Sequence, residues 1–152
     1  MMRKLLGLTT ALTLGFAATD AMAQMVTKTS PHSVDVTIER LAAAVEGAGA
    51  AVIARVDHAA SAASADMELR PTTTLIFGNP KIGTPAMIEN QTAGLDLPLR
   101  VLAYADGEGV VHVVYHDPAA LAEDHGLTPD AEYLTMMTGA LGKLTDKAIA
   151  ED

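Results

Sequence analysis

The sequence predicts an α+β fold in two layers, with helices packed on a mixed or largely antiparallel sheet. Two long segments repeat apolar residues every three or four positions, which is typical of a helix with one buried face. Other segments are rich in β-branched residues and are bounded by Pro, Gly or Asp, as strands are. Strands that are joined both by helices and by a hairpin predict this class of fold.

The first half of the chain alternates predicted strands with predicted helices. Ser33 stands where it can cap the first helix, and Asp57 stands where it can cap a shorter, alanine-rich one. Pro71 disfavours a helical conformation at the residue before it, so a strand follows. We predict strands over residues 24–29, 50–56 and 72–77, and helices over residues 34–48 and 58–66.

The second half contains the clearest hairpin signal. Asp-Gly-Glu-Gly at residues 106–109 separates two β-rich runs, as the turn of a hairpin does. One apolar stripe marks the last helix and consists of Leu134, Met137, Leu141, Leu144 and Ala148. We predict helices over residues 80–92 and 117–126, strands over residues 97–105 and 110–115, and a C-terminal helix from about residue 129.

The N-terminus has the order of a secretory signal peptide. A basic pair at positions 3 and 4 precedes an almost uncharged run over residues 5–18, and small residues then flank Met22, as a signal peptidase requires. The run is too short to span a bilayer, which takes about 20 residues. We therefore expect residues 1–23 to be removed and residues 24–152 to form a single domain that is periplasmic, or secreted if the source has no outer membrane.

Composition excludes several classes of function. The net charge of −9 repels phosphate backbones and anionic lipid, so we expect no nucleic-acid partner and no membrane contact after signal cleavage. The absence of cysteine excludes disulfides, thiol catalysis, Cys-ligated metal and covalently attached c-type haem. Aromatic residues make up 3% and Trp is absent, which disfavours a stacking platform for sugars or bases.

The stretch LIFGNPKIGTPAM over residues 75–87 is the first candidate site. It contains neither G-x-x-x-x-G-K-[ST] nor G-x-G-x-x-G, so it is not a nucleotide fingerprint. A helix N-terminus with free backbone N–H groups can hold an anion, but caps and prolines explain the same residues as a strand-to-helix turn. The turn is the favoured interpretation. The candidate ligand residues here are Gly78, Asn79, Lys81, Gly83 and Thr84.

Two arginines extend this candidate. Arg70 and Arg100 lie in or beside predicted strands, where they can pair with carboxylates. If such arginines instead converge on Lys81, they form a local anion site in an acidic protein. We therefore include Arg70 and Arg100 among the candidate ligand-binding residues.

Histidines are the candidates for catalysis. His58 follows Asp57, which can orient a histidine but more simply caps the next helix. His112 is flanked by valines, which favours a buried, hydrogen-bonded histidine. His112 and His116 stand about 13 Å apart along a strand, too far to share one metal ion. The candidate catalytic residues are His58, His112 and Asp57, and we predict no metal site from histidines.

Methionines offer one further chemistry. Thioethers are soft ligands that bind cuprous ion without cysteine. The chain has no M-x-M or M-x-x-M cluster with a histidine, so packing in the core is the favoured role. The methionines concerned are Met67, Met87, Met136 and Met137.

Five segments, in this order along the chain, resemble the DUF302 family of small bacterial domains. They are SPHSV, ARVDHAA, LRPTTTLIFGNPKIGTPAM, LDLPLRVLAYADGEGVVHVVYHDP and LAEDHGL. The resemblance spans residues 30–127 and implies a two-layer α+β domain whose members can pair as dimers. It implies no catalytic residues, because the family has no established biochemical function.

Together these features predict an exported binding or interaction domain, with a possible homodimer and a possible small anionic or apolar ligand. Catalysis is the less favoured class, and no cofactor is expected. Two alternatives stay open. One is a histidine-dependent enzyme of unknown reaction, and the other is a weak copper or haem carrier.

Overall fold

The computed structural model describes residues 25–151, which form one sheet and five α-helices. The predicted signal peptide at residues 1–23 lies outside the described residues. The strands are β1 Met25–Ser30, β2 Ala51–Asp57, β3 Thr72–Gly78, β4 Leu99–Ala105 and β5 Val111–His116. The helices are α1 Val34–Gly47, α2 His58–Ala63, α3 Pro80–Glu89, α4 Ala120–His125 and α5 Glu132–Ile149, and a 3-10 helix spans Gln91–Leu95.

The sheet has five strands in the order β1-β5-β4-β3-β2, and every neighbouring pair is antiparallel. This confirms the α+β class, and of the two sheet types that the sequence allowed, the structure has the antiparallel one. β1 and β2 are the two edge strands, although they come first along the chain. The N-terminal strand pairs with β5, which lies more than 80 residues later.

One face of the sheet carries the main core. α1 packs against β2, β3 and β4, and α5 packs against α1. The stripe predicted for the last helix is buried in full, since Leu134, Met137, Leu141, Leu144 and Ala148 are all among the buried residues. Ile38, Leu41 and Val45 of α1 share this core with Leu141, Leu144 and Ala148. Leu134 and Met137 belong to a second core with residues of α3, α4 and the 3-10 helix.

The other face of the sheet is partly exposed. In β3, buried residues alternate with partly exposed ones, as expected for a sheet with one packed face. The short helix α2 contacts β3 and lies on this side, where Nε2 of His58 is 3.0 Å from Oγ1 of Thr74. The partly exposed side chains here include Thr72, Ile76, Leu102, Tyr104 and Val114.

Local signals in the sequence explain most element boundaries. Ser33 caps α1 by accepting a hydrogen bond from the N–H of Val36, and Gly126 ends α4 with a positive φ of 62°. The predicted hairpin joins β4 and β5, and Gly109 takes a φ of +82° in its turn. Such φ values favour glycine because it has no Cβ.

The last helix differs from the prediction at its start. α5 begins at Glu132 rather than near residue 129, and Ala131 at its N-cap makes no side-chain cap. The reason is a long-range contact. Thr128 donates both its backbone N–H and its hydroxyl to Oε1 of Glu89, at 2.6 and 2.8 Å, so it is held by α3 instead of capping α5.

Candidate functional site

An apolar groove of about 530 Å³ lies where the ends of β2 and β3 meet α3 and α5. Its floor is hydrophobic core, because Phe77, Met137 and Leu144 line it and are at most 6% exposed. Its rim includes Ile53 on the edge strand β2, which is 57% exposed. The remaining apolar lining consists of Ala48, Ala50, Ala51, Pro80, Ile82, Met87, Leu97, Pro98, Leu99 and Ala140.

Of the residues that the structure describes, only two with polar side chains line the groove, and neither carries a charge. They are Asn79 and Thr84, at the beginning and in the middle of α3. Within residues 25–151, no Asp, Glu, Lys, Arg or His belongs to the lining. A ligand in this groove would therefore meet apolar surface, one amide and one hydroxyl.

Local sequence builds the entrance to the groove. Oδ1 of Asn79 accepts a hydrogen bond from the N–H of Lys81 at 3.0 Å, and Pro80 occupies the first turn of α3. Gly78 lies close to Pro98, since a Cβ at this position would stand 3.4 Å from the Pro98 Cβ. These residues set where β3 ends and at what point α3 turns away from it.

Small side chains leave the volume of the groove open. Alanines line it at the end of α1, at the start of β2 and on α5. Because each of these side chains is a single methyl group, they occupy little of the volume of the groove. The alanines concerned are Ala48, Ala50, Ala51 and Ala140.

Four of the predicted ligand residues line the same groove. They are Gly78, Asn79, Gly83 and Thr84. Lys81 is exposed and does not line it. At 3.6 residues per turn, Lys81 stands about 200° around α3 from Gly83, on the opposite side of the helix.

The two arginines of the predicted anion site lie elsewhere. Nε of Arg70 donates to the carbonyl oxygen of Ala105 at 3.1 Å, and Arg100 forms an ion pair with Asp96 at 3.0 Å. Arg70 precedes β3, whose other end leads into α3, so the length of the strand, about 20 Å, separates Arg70 from Asn79. Neither arginine lines the groove with the α3 residues.

Asp57 and His58 have separate partners. Oδ1 of Asp57 accepts a hydrogen bond from the N–H of Ala60 at 2.9 Å and so caps α2. The imidazole of His58 instead lies against Thr74 on the partly exposed face of the sheet. Asp57 thus acts as a helix cap, in line with the simpler of its two predicted roles.

His112 forms a hydrogen-bonded pair with a carboxylate. Its Nε2 lies 2.8 Å from Oδ2 of Asp106, and its ring centroid lies 5.1 Å from that of Tyr104. The hydrogen bond from His112 is the largest cause that lowers the pKa of the Asp106 carboxyl below its usual value. Oδ1 of Asp106 also accepts from the N–H groups of Glu108 and Val110, so the pair is part of the hairpin turn. It lies outside the groove lining.

A second histidine network was not predicted. His125 is 7% exposed, with Nε2 2.7 Å from Oδ2 of Asp96 and Nδ1 3.0 Å from Oγ1 of Thr92. His125 is the last residue of α4, Asp96 directly follows the 3-10 helix, and Thr92 lies within that helix. His125 is about 30 positions from the other two residues along the chain. No local spacing in the sequence could indicate such a contact. Asp96 also borders a smaller cavity of about 120 Å³, whose lining shares Leu99 with the groove and does not include His125.

Metal ligands do not cluster in the described part of the chain. Among residues 25–151, no group of three or more His, Asp or Glu residues is arranged to hold a metal ion. Over the same residues, no helix has both the length and the apolar character that crossing a membrane would need.

Several known proteins are similar to this chain. Two are named fluoride-specific ion channel FluC 1, one from Brucella suis biovar 1 and one from Brucella abortus biovar 1, and each is 46% identical to it over 129 residues. The matched segment covers 84% of this chain but only 50% and 47% of the two relatives. The chain therefore spans about half the length of the curated relatives it matches.

A solved structure has the same fold. It is the crystal structure of an uncharacterized conserved DUF302 protein from Bacillus stearothermophilus, with a TM-score of 0.73 and 20% sequence identity. The likeness covers 82% of this chain and 97% of that one. At this identity the comparison supports the fold alone.

The family model described as domain of unknown function DUF302 matches residues 26–144. This range includes all five strands except the first residue of β1, and it includes the groove lining on α3 and α5. The resemblance inferred from the five sequence segments is confirmed, and the chain belongs to the DUF302 family.

Proposed function

We propose that this chain is an exported binding protein whose apolar groove holds a small apolar molecule. The observation that carries the proposal is the groove itself, with its apolar lining and two uncharged polar side chains. Its volume of about 530 Å³ falls within the range of about 300–1,000 Å³ that is typical of small-molecule sites.

The groove suits binding because its floor is already ordered. Phe77 and Leu144 are buried in the core that α1 and α5 form with the sheet, and Met137 is buried in the core that α5 forms with α3, α4 and the 3-10 helix. A ligand would remove more apolar surface from water, which stabilises a complex by about 25 cal/mol per Å² of apolar area. Little side-chain freedom remains to be lost at the floor, and this loss is a main cost of binding.

An apolar ligand is favoured over a purely anionic one. Lys81 stands on the far side of α3, and Arg70 and Arg100 have partners away from the groove. An anion in this groove would lose its hydration and gain no cationic side chain in return, which is costly in free energy. The anionic alternative therefore finds no support in the arrangement of these residues.

Binding is also favoured over histidine-dependent catalysis. The His112–Asp106 pair lies in the hairpin turn, and His125 and Asp96 tie α4 to the 3-10 helix. A general base must reach its substrate within about 3 Å. Neither pair borders the groove, where a substrate would bind.

A copper carrier is the second candidate function. Met87 and Met137 both line the groove, and thioether sulfur binds cuprous ion. Both side chains also serve as apolar lining, so an apolar ligand explains them equally well. Elemental analysis of protein taken from its native compartment distinguishes the two, because only a copper carrier retains copper in stoichiometric amount.

The fluoride-channel name belongs to relatives about twice as long as this chain. Fluoride is a small, strongly hydrated anion, and an apolar groove offers nothing that replaces its hydration shell. We therefore propose ligand binding, and not fluoride transport, for the domain that this chain and those relatives share.

Titration with the neutral fluorescent dye N-phenyl-1-naphthylamine tests the proposal. We expect saturable binding to the exported chain, and loss of most of that binding in Ala140→Phe, which places an aromatic ring in the groove. Thr135→Phe adds the same ring on the exposed side of the same helix and should bind the dye as the natural chain does. Equal dye binding by all three proteins would contradict the proposal.

A further inference from the structure

The imidazole of His125 is a buried titratable group that does not border the groove. Its side chain is 6% exposed, and both ring nitrogens have partners. Nε2 lies 2.7 Å from Oδ2 of Asp96, and Nδ1 lies 3.0 Å from Oγ1 of Thr92. A ring of contacts closes through Asn90, because its Oδ1 lies 3.0 Å from the Thr92 hydroxyl and its Nδ2 donates to the carbonyl oxygen of His125 at 2.7 Å.

These distances constrain the positions of the protons. Nε2 faces a carboxylate, so it carries a proton, because a bare lone pair on the nitrogen would repel Asp96. In a neutral imidazole Nδ1 is then an acceptor, and the Thr92 hydroxyl must donate to it. A hydroxyl has one proton, so in that state it cannot also donate to Asn90.

A doubly protonated imidazole satisfies every contact in the ring. Nδ1 then donates to the Thr92 oxygen, and the hydroxyl turns to donate to Oδ1 of Asn90, which also accepts from the Thr92 N–H at 3.1 Å. The cation also lies against the Asp96 carboxylate, and hydrogen bonds between charged groups are stronger than neutral ones. The geometry therefore fits the cationic form of His125 better than the neutral form.

The charged groups around the ring are mostly acidic. Asp96 is bonded to the imidazole, and its other oxygen pairs with Arg100 of β4 at 3.0 Å. Glu123 and Asp124 are exposed carboxylates on α4 itself, and the carboxylate of Glu89 at the end of α3 is bonded elsewhere. The other titratable side chains nearby, none of them bonded to the imidazole within residues 25–151, are His116, Asp117, Asp130 and Tyr133.

We propose that His125 is a proton-controlled latch between α4 and the 3-10 helix. With both ring nitrogens protonated, it holds Asp96, Thr92 and Asn90 together. Loss of the Nδ1 proton removes one hydrogen bond from the ring together with the positive charge, so the tie weakens. Because the fold gains this bond only when His125 is charged, the tie is strong at pH values below the titration of His125 and weakens as the pH rises through it.

The latch lies behind one wall of the groove. Asp96 is followed directly by Leu97, Pro98 and Leu99, which line the groove, and Leu97 shares a core with Leu121 of α4. A tie between α4 and the 3-10 helix therefore supports the segment that leads into this wall. The inference goes beyond ligand binding, and its test needs no ligand.

NMR of the exported chain, labelled with nitrogen-15, follows both ring nitrogens of His125 between pH 5 and pH 9. We expect two protonated nitrogens at the acidic end and one at the alkaline end. Amide hydrogen exchange reports the tie on its two sides, through the N–H of Leu127, bonded to Ala122, and the N–H of Leu97, bonded to Ala93. After correction for the intrinsic effect of pH on exchange, protection of both amides should fall about fivefold as His125 loses its proton, as expected for one net hydrogen bond.

Variants assign the effect to the ring of hydrogen bonds. Thr92→Val removes the partner of Nδ1, so it should lower the proton affinity of His125 about fivefold and remove most of the pH dependence of the two amides. Thr92→Ser keeps the hydroxyl and should behave as the natural chain does. His116→Gln replaces an exposed histidine that lines the neighbouring cavity, and as the matched control it should leave both measurements unchanged.

Four outcomes overturn the proposal. A single protonated nitrogen on His125 throughout this pH range rejects the latch, and a second proton that is retained at pH 9 rejects its control by pH. Unchanged protection of both amides while His125 titrates shows that the imidazole ties nothing. An identical titration of His125 in Thr92→Val and in the natural chain rejects the role of the hydroxyl. Absence of saturable dye binding is a different result, because it rejects the groove as a binding site and leaves these measurements unaffected.

Discussion

At the scale of single residues, Asp106 combines a turn role with an electrostatic one. Its carboxylate accepts from two backbone N–H groups of the hairpin turn and lies 2.8 Å from Nε2 of His112. The sequence indicated the turn through the Asp-Gly-Glu-Gly pattern. It did not indicate the bond to His112, because that contact depends on the register of β4 against β5.

The Asp106 carboxyl predicts a pH dependence of stability. The hydrogen bond from His112 lowers the pKa of Asp106 in the fold, so the folded state favours the charged carboxylate. The resulting stabilisation is present above the unfolded pKa of about 4 and is lost as the pH falls through the lower, folded value. Urea unfolding from pH 7 to pH 2 should show this loss in the natural chain.

Asp106→Asn should weaken that acid dependence, because the amide does not titrate. Glu108→Gln changes a neighbouring carboxyl that receives no side-chain hydrogen bond in the described structure, and it serves as the control. If the free energy of unfolding falls equally between pH 7 and pH 2 in Asp106→Asn and in the natural chain, the assignment to Asp106 is contradicted.

The contact between Glu89 and Tyr133 predicts a second pH dependence of stability. Oε2 of Glu89 accepts from the Tyr133 hydroxyl, and burial together with this bond raises the pKa of Tyr133 to about 12. The folded state therefore favours the neutral phenol. Its contribution is present below the unfolded pKa near 10 and is lost as the pH rises through about 12.

An absorbance titration of phenolate should contain one group that ionises near pH 12, and Tyr133→Phe should lack it. Glu89→Gln should lower the pKa of Tyr133, because the charge that opposes the phenolate is gone. If the high-pH group persists in Tyr133→Phe, it belongs to another residue.

At the scale of elements, α5 illustrates how well periodicity predicts burial. Each residue of its predicted apolar stripe is buried, because helical geometry places positions three and four apart on one face. Its start was predicted less well. Thr128-Pro129 has the local pattern of a helix beginning, but Thr128 is held by Glu89, which is 39 residues away along the chain.

The buried face of α5 yields a stability prediction with a control on the same helix. Leu141 is 1% exposed, and Leu141→Ala should reduce the free energy of unfolding by about 2–5 kcal/mol through lost burial and the cavity left behind. Met136 is 47% exposed, and Met136→Ala should change it by at most about 0.5 kcal/mol. Urea denaturation measures both, and similar losses in the two variants would contradict the packing described for α5.

At the scale of the whole molecule, export and assembly are the properties to test. We predict that the chain is exported, that residues 1–23 are removed and that the mature protein begins at Gln24. Intact-mass analysis of protein recovered outside the cytoplasm measures this directly. Replacing Leu12 with Asp should retain the full-length chain in the cytoplasm, because a charge interrupts the apolar run that the export machinery recognises.

Native mass spectrometry of the same material reports the number of subunits and any retained ligand together. We propose pairing as a homodimer, for which the partly exposed sheet face with Ile76, Leu102 and Val114 offers a surface. A monomer at all concentrations would reject the dimer. A retained neutral mass that Ala140→Phe lacks would support the binding function.

The sequence by itself determined the elements and the fold class. Periodicity, caps and turn residues act over a few positions, and those signals are readable along the chain. It also indicated that Gly78, Asn79, Gly83 and Thr84 lie close together, because they follow one another through a single turn into α3, and these four residues line the groove.

Only the tertiary structure decided the nature of that site. The strand order placed the edge strand β2, with Ile53, beside α3, and α5 supplied Met137, Ala140 and Leu144 from more than 50 residues away. It also placed Lys81 away from the groove and gave Arg100 a different partner. The character of a cavity depends on side chains that meet across long sequence separations, and no local pattern encodes those meetings. For this reason the stretch that suggested an anion loop became one wall of an apolar groove.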